Sequence, residues 1–328
     1  MLPPHWPQRG TDQTMLDAVV RRLLISIPVI IGVLLIGFLL LQVIPTDPAV
    51  VLAGPMAPPE VVEKITEQMG LNRPVWEQFL LYLGRVVQGD LGRSIISNTP
   101  VIEELGRTIG PTVELLIGSL VWSVPAGIAL GATGAVHRGR LIDKVVMAIS
   151  VAGVSVPIFW IGLILMQYLA YNWGIFPVQG RGGPIWTLEG LAHLVLPSLT
   201  LGAIFVGPVA RMTRTTMLEV LDSEYVRTAR AKGLQELRVL VFHALRTSLL
   251  PVITLIGLMI GFLLGGAVVT ETIFTWPGVG RMAVGAILSS DYPLAQGAIL
   301  LLAVSFIVIN LIVDLLYAFL DPRVRGHG

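Results

Sequence analysis

Six long stretches with almost no charge constrain the fold of this sequence more than any other feature. Each has about 20 residues or more, the length that a helix needs to cross a hydrocarbon core of roughly 30 Å. Backbone polar groups cannot stay unpaired in lipid, and no stretch alternates apolar with polar residues as a barrel strand does. We therefore predict an all-α polytopic membrane protein with six transmembrane helices, at 23–46, 115–136, 145–171, 191–210, 248–270 and 292–313, the last continuing past Asp314 to residue 320.

Composition excludes several classes of function. The net charge of +1 gives no reason to propose a nucleic-acid partner. The absence of cysteine excludes disulfides, thiolate metal sites and cysteine nucleophiles. None of the three lysines, Lys64, Lys144 and Lys232, follows a glycine, so the chain lacks the Gly-Lys pair of a phosphate-binding P-loop.

The distribution of arginine and lysine predicts the orientation. If the N-terminus is cytoplasmic, the short inner loops 137–144 and 211–247 carry ten basic residues, and the short outer loops 172–190 and 271–291 carry only Arg181 and Arg281. Cytoplasmic loops are the ones enriched in Arg and Lys. Both termini are therefore predicted to be cytoplasmic.

The same spans predict the division of the chain. We expect an N-terminal tail over 1–20 without structure, the first transmembrane helix and a folded periplasmic loop over 21–110, a five-helix core over 111–321 and a C-terminal tail over 322–328. The periodicity of the loop predicts helices near 60–69 and 76–87, followed by a turn at 89–92. The loop could cap the outer mouth, or bind a soluble delivery protein.

The inner loop 211–247 is too polar to lie within the membrane and is predicted to carry the function. Ser223 is a good N-cap for a short basic helix that begins at Glu224, and Gly233 ends it. Its small residues would let another backbone approach closely. By physics alone, this helix could rest on anionic headgroups or bind a partner protein.

Five motifs carry a family resemblance. The inner loop reads T-A-R-A-K-G-L from Thr228 and H-A-L-R-T-S-L-L-P from His243, which resembles the cytoplasmic "EAA loop" of ATP-binding-cassette importer permeases. Arg227-Thr228-Ala229 stands where the general form has Glu-Ala-Ala, as in the dipeptide/oligopeptide branch. Four further motifs also resemble that branch: Gly89-Asp90-Leu91-Gly92-Arg93-Ser94, the eleven residues from Glu271 to Arg281, Asp291-Tyr292-Pro293, and Asp321-Pro322-Arg323-Val324-Arg325.

The resemblance implies a fold, a location and partners. The chain would have the type I ABC importer permease fold in a bacterial inner membrane and be the first of two homologous permease subunits. Two ATPase subunits would bind ATP and Mg, which this chain would not bind, and a periplasmic or lipid-anchored binding protein would deliver di- or oligopeptides. The coupling helix to the ATPase would comprise Glu224, Tyr225, Val226, Arg227, Thr228, Ala229, Arg230, Ala231, Lys232, Gly233 and Leu234.

Three residues are candidates for the pathway or a gate. Asp314 is the carboxylate predicted to lie deepest in a span, and such a group is a functional candidate or half of an ion pair with arginine. Pro157 would bend the third span. Glu271 opens the motif expected in the loop after the fifth span.

Several alternatives remain open at this stage. The same architecture could import nickel chelates, glutathione, opines or oligosaccharides. A secondary transporter would need ion-coupling carboxylates, and the predicted spans offer only Asp314. Gly153-Val154-Ser155-Val156, with His193 as base, matches the short pattern of intramembrane serine proteases. The scattered histidines give no support for a metal site.

Overall fold

A computed structural model describes the backbone of residues 11–43, 48–54 and 56–320. Within these ranges the secondary structure is helical, and there is no β-strand. The α-helices are α1 (Thr11–Val43), α2 (Pro48–Ala53), α3 (Pro59–Met69), α4 (Val75–Val87), α5 (Val101–Val136), α6 (Leu141–Ser155), α7 (Ile158–Leu165), α8 (Leu188–Leu221), α9 (Glu224–Ala231), α10 (Glu236–Arg238), α11 (Arg246–Ile273), α12 (Val279–Leu288) and α13 (Tyr292–Leu320). Two π-helical segments, Met166–Asn172 and Val239–Leu245, continue α7 and join α10 to α11.

The predicted third span is broken. Five helices are long and apolar enough to cross a membrane singly. Leu141–Gly153 and Ile158–Asn172 are apolar enough for a sixth crossing only when taken together, and they meet at an angle of 103°. The helix breaks at Pro157, because proline has no N–H to continue the helical hydrogen-bond ladder. The predicted all-α fold is confirmed, with six spans when the bent pair is counted as one.

Several predicted boundaries were wrong because apolar content marks the hydrocarbon region, whereas helices continue beyond it. Residues 11–20, predicted as an unstructured tail, belong to α1. Helix α5 begins at Val101 and so crosses the predicted boundary between residues 110 and 111. Helix α8 runs to Leu221, well into the predicted inner loop. Residues 1–10 and the tail 322–328, with the motif 321–325, lie outside the described residues.

Small residues bring α5 and α8 into close contact. A Cβ atom at Gly127 would lie 2.7 Å from Val209 Cγ1, and one at Gly131 would overlap the carbonyl oxygen of Ala210. Such positions let backbones approach in membrane helix pairs, where van der Waals packing replaces the hydrophobic effect. The main buried cluster includes Leu115, Leu201, Phe205, Val209, Leu263 and Trp276, so it joins α5, α8 and α11 to the segment after α11.

The loop that follows the first span is folded, as predicted. Helices α3 and α4 correspond to the two predicted helices, and α2 was not predicted. Phe79 and Tyr82 of α4 pack on Phe38 of α1, with ring centroids 5.5 and 6.2 Å from that of Phe38. Gly89 and Gly92 both have positive φ angles, which confirms the predicted turn.

Candidate functional site

Helix α9 is the short basic helix predicted within the inner loop. The Ser223 Oγ accepts a hydrogen bond from the backbone N–H of Val226 at 3.4 Å, so the predicted N-cap is confirmed. Val226 and Ala229 are buried against Val239 of the following π segment. The backbone turns away at Gly233, whose φ of 76° suits glycine.

The other face of α9 is open to solvent. Arg230 donates two hydrogen bonds to Glu236, at 3.1 and 2.7 Å, and the Tyr225 hydroxyl lies 2.5 Å from His243 Nδ1. Both contacts tie α9 to the start of the helix that continues through α11. The remaining predicted coupling residues apart from Leu234 are exposed: Glu224, Arg227, Thr228, Ala231, Lys232 and Gly233. One face of α9 is therefore fixed to a transmembrane helix, and the opposite face is exposed to solvent.

Glu271 lies inside α11 rather than in the loop after the fifth span, so its predicted location was wrong. Its side chain is fully buried. The Thr112 Oγ1 of α5 donates a hydrogen bond to Oε1 at 2.7 Å, and the backbone N–H of Arg281 donates to Oε2 at 3.0 Å. Thr112 in turn accepts from the N–H of Val279 at 2.9 Å. Glu271 and Thr112 together satisfy the unpaired N–H groups at the start of α12.

This arrangement explains the composition of the motif that follows Glu271. Trp276 is fully buried, and its Nε1 donates to the carbonyl oxygen of Pro111 at 2.8 Å. A Cβ atom at Gly278 would overlap the Glu271 carboxyl group, and one at Gly280 would lie 2.6 Å from Val268 Cα. The motif therefore builds one joint between α5, α11 and α12.

Two motifs noted separately in the sequence meet in the structure. The Ser94 Oγ donates to Asp291 Oδ2 at 2.5 Å, and the N–H of Ile95 donates to Oδ1 at 3.1 Å. The same Oδ1 accepts from the N–H of Leu294 in the first turn of α13 at 3.3 Å. Asp291 is buried, so it holds the segment after the Gly89–Gly92 turn against the beginning of the last span.

Sequence reasoning missed two ion pairs. Arg214 of α8 donates from Nε and Nη2 to the two carboxylate oxygens of Asp143 of α6, at 2.5 and 2.7 Å, and Asp143 is buried. Arg181 binds Glu114 of α5 in the same bidentate way, at 2.8 and 2.6 Å. The sequence interpretation singled out Asp314 as the charged residue nearest to being buried, and it did not foresee that Glu271, Asp143 and Asp291 are more than nine-tenths buried. The side chain of Asp314 lies outside the described residues.

The residues proposed for a protease do not contact each other through a hydrogen bond among the described residues. The Ser155 Oγ donates to the carbonyl oxygen of Val151, one turn earlier in its own helix. His193 Nδ1 is bonded to the carbonyl oxygen of Glu189, also one turn earlier. The serine is therefore not paired with the base that this chemistry needs.

A bundle of apolar helices long enough to cross a bilayer defines a multi-pass membrane protein. The chain belongs to the family described as "Binding-protein-dependent transport system inner membrane component", whose model matches residues 123–326. The matching N-terminal family model covers residues 15–115. This confirms the family predicted from the five motifs, and the family description implies that the chain works with other components.

Relatives of known function support the same class. The dipeptide transport system permease protein DppB of Escherichia coli K12 is 41% identical, over 95% of this chain and 99% of that protein. The glutathione transport system permease protein GsiC of the same strain is 43% identical over the same shares. An inward-facing structure of the MetNI methionine ABC transporter covers 66% of this chain and 96% of its own, with a TM-score of 0.52 and 16% identity. That match shows the type I ABC importer permease fold.

Proposed function

We propose that this chain is a permease subunit of an ATP-driven importer and that α9 is its coupling helix to an ATPase. The observation that supports this proposal most directly is that α9 is fixed to the rest of the protein on one side only. Val226 and Ala229 are buried on one side, and the basic residues Arg227 and Lys232 are exposed on the other. A helix that only rested on lipid would not need to be held to the start of a span by Arg230 and Tyr225.

The linkage beyond α9 supports transmission of movement into the bundle. Residues Glu236–Ile273 form one unbroken helical path that passes through the π segment. Its first part binds α9, and its last residues include Glu271 in the joint with α5 and α12. A displacement of α9 by an ATPase would therefore move both ends of this path.

The charge reversal of the exposed face of α9 tests the coupling. We expect Arg227→Glu with Lys232→Glu to abolish co-purification of ATPase activity, because the variant reverses the charge of the surface that would bind the ATPase. The fold of α9 should be kept, since neither residue contributes to its buried face. Arg107→Glu is a matched control, since Arg107 is exposed on α5 with only a 3.9 Å pair to Glu103. Equal ATPase recovery from both variants would contradict the coupling role.

Single cysteine substitutions test the orientation directly, because the chain has no cysteine of its own that would have to be removed first. We place α9 in the cytoplasm and the α2–α4 loop outside, with both termini cytoplasmic. A membrane-impermeant maleimide should label Lys64→Cys in intact cells and should label Lys232→Cys only after permeabilisation. The reverse pattern would contradict this orientation.

We propose small peptides as cargo, because the dipeptide and glutathione permeases are similar to this chain to nearly the same degree. The partners would be a second homologous permease subunit, two ATPases that bind ATP and Mg, and a binding protein. Competition between a labelled dipeptide and glutathione for uptake by the assembled transporter distinguishes the two cargoes. Peptide cargo would be contradicted if neither the dipeptide nor glutathione competed for uptake and the transporter instead took up a nickel chelate, an opine or an oligosaccharide.

Pro157 remains a candidate bend of the pathway, since it lies at the break between α6 and α7. Glu271 is better explained as a structural joint than as a substrate ligand, because its carboxyl oxygens are occupied by Thr112 and Arg281.

A further inference from the structure

The π segment Val239–Leu245 lies where the contacts of its helical path pass from α9 to the bundle. At its beginning, Val239 is fully buried against α9. Near its end, Ala244 is fully buried against Ala135 of α5 and Met217 of α8. One wide helical turn therefore contacts both the helix proposed to bind an ATPase and two of the spans.

The spacing of the buried residues shows that this turn holds one residue more than an α-helix would need. After the turn, Ala244, Ser248 and Val252 are buried four positions apart, as on one face of an α-helix. Before it, Val239 is buried five positions ahead of Ala244. In an α-helix these two side chains would point about 140° apart. A π-helix bonds i to i+5 and brings both to the same face.

The additional residue falls on the exposed side of the π segment. Val241 and Phe242 lie between the two buried positions, and Phe242 is 64% exposed. If Phe242 were absent, Val239 would stand four positions before Ala244, and a regular α-helix would bury both. Packing therefore does not require the π geometry. Such turns are rare and are found mostly at functional sites.

Pro251 makes the same stretch easier to bend. It has no N–H, which removes the helical hydrogen bond to the carbonyl oxygen of Thr247. The hydroxyl groups of Thr247 and Ser248 donate to the carbonyl oxygens of His243 and Leu245, at 2.9 and 2.8 Å. Side-chain bonds of this kind, prolines and π turns are the features at which helices bend.

We propose that the π segment is the pivot at which α11 changes its tilt relative to α9. This inference rests on the coupling role proposed for α9. The wide turn bends by a few degrees while Val239 stays against α9 and Ala244 stays against α5 and α8. Phe242 is a positioning residue that acts through the backbone length it adds and not through its side chain.

Deletion of Phe242 tests the pivot, because it should replace the π segment by a regular α-helix. In the purified full chain, amide hydrogen exchange of residues 240–250 should slow by about tenfold, since local opening becomes less favourable. The Tm should equal or exceed that of the wild type. In the assembled transporter, the ATPase should still co-purify, and most of the uptake of a labelled dipeptide should be lost.

Two variants are matched controls. Phe242→Ala keeps the number of residues, so it should keep the π segment and match the wild type in exchange, Tm and uptake. Leu258 is 67% exposed on the regular part of α11, next to Gly257, which packs on Val313. Deletion of Leu258 should rotate the two parts of the span by about 100° relative to each other and lower Tm.

Four results would each overturn the pivot. They are an equal loss of Tm in both deletion variants, unchanged exchange or full uptake after deletion of Phe242, loss of ATPase co-purification in that variant, and an equal loss of uptake in Phe242→Ala. Exchange and Tm need neither cargo nor ATPase. A failure of the function proposed above would leave these two readouts intact and would appear instead as ATPase recovery by the charge-reversed α9 variant.

Discussion

Thr112 of α5 donates its hydroxyl hydrogen to Glu271 of α11 across 2.7 Å, although the two residues are 159 positions apart. Thr112 accepts the N–H of Val279 with the same oxygen atom. One small side chain thus joins two spans to the beginning of α12. This joint is where we expect single substitutions to have the clearest effects.

Thr112→Val should destabilise the protein by about 1–3 kcal/mol, because it leaves a buried acceptor on Glu271 and a buried donor on Val279 unpaired. Unfolding in detergent, followed by circular dichroism or thermal shift, measures this. Thr133→Val on the same helix is the control, since Thr133 is exposed and its hydroxyl donates to the carbonyl oxygen of Ala129, one turn earlier in its own helix. Equal loss of stability in both variants would contradict the role of the joint.

Gly280→Ala should cost about 1–3 kcal/mol, because the added methyl group would press on the backbone of Val268 and a packed site cannot absorb it. Gly285 lies in the same helix with open space around it, so Gly285→Ala should be neutral or stabilising by up to about 1 kcal/mol. The difference in Tm between the two variants is the measurement. A stable Gly280→Ala variant would show that α11 and α12 do not pack this closely.

Asp143→Asn and Arg214→Gln should each destabilise the contact between α6 and α8 by about 1–3 kcal/mol, because each leaves a partly buried partner without its counter-charge. The double variant should lose less than the sum of the two. Arg138→Gln breaks an exposed pair with Asp222, at 3.3 Å, and should cost less than about 1 kcal/mol. Additive losses would mean that Asp143 and Arg214 act independently.

Asp291→Asn should increase proteolysis within residues 89–100, because a neutral amide is a poorer acceptor for Ser94 and Ile95 than a carboxylate. Limited proteolysis with mass spectrometry locates the cleavage. Asp90→Asn is the control, since Asp90 is exposed and bonds within its own turn to the N–H of Gly92. Unchanged cleavage in Asp291→Asn would contradict the anchoring of this segment.

The spans and α9 could be predicted from the sequence because each depends on a local pattern. Uninterrupted apolar length predicts a crossing, and Ser223 followed by Glu224 predicts a helix start. The break at Pro157 was only partly predictable, because proline in a membrane helix is compatible with a mild bend as well as with the observed angle of 103°.

The contacts within the site could not be predicted, since they join residues that are far apart in the sequence. Glu271 was placed in a loop because a charged residue usually marks the end of an apolar stretch. Burial of Glu271 becomes acceptable only when Thr112 and the first N–H groups of α12 come together around it. The pairing of Asp143 with Arg214 follows from the packing of α6 on α8 and leaves no periodic signal.

The unbroken path of Glu236–Ile273 has a mechanical consequence. Thirty-eight helical residues extend for about 57 Å, and a helix that keeps its hydrogen bonds tilts rather than shortens. A tilt of about 5° about one end would displace the other end by about 5 Å at that length. The protein therefore contains a lever arm, in which a rotation of a few degrees beside α9 becomes a displacement as wide as a side chain at the far surface of the membrane.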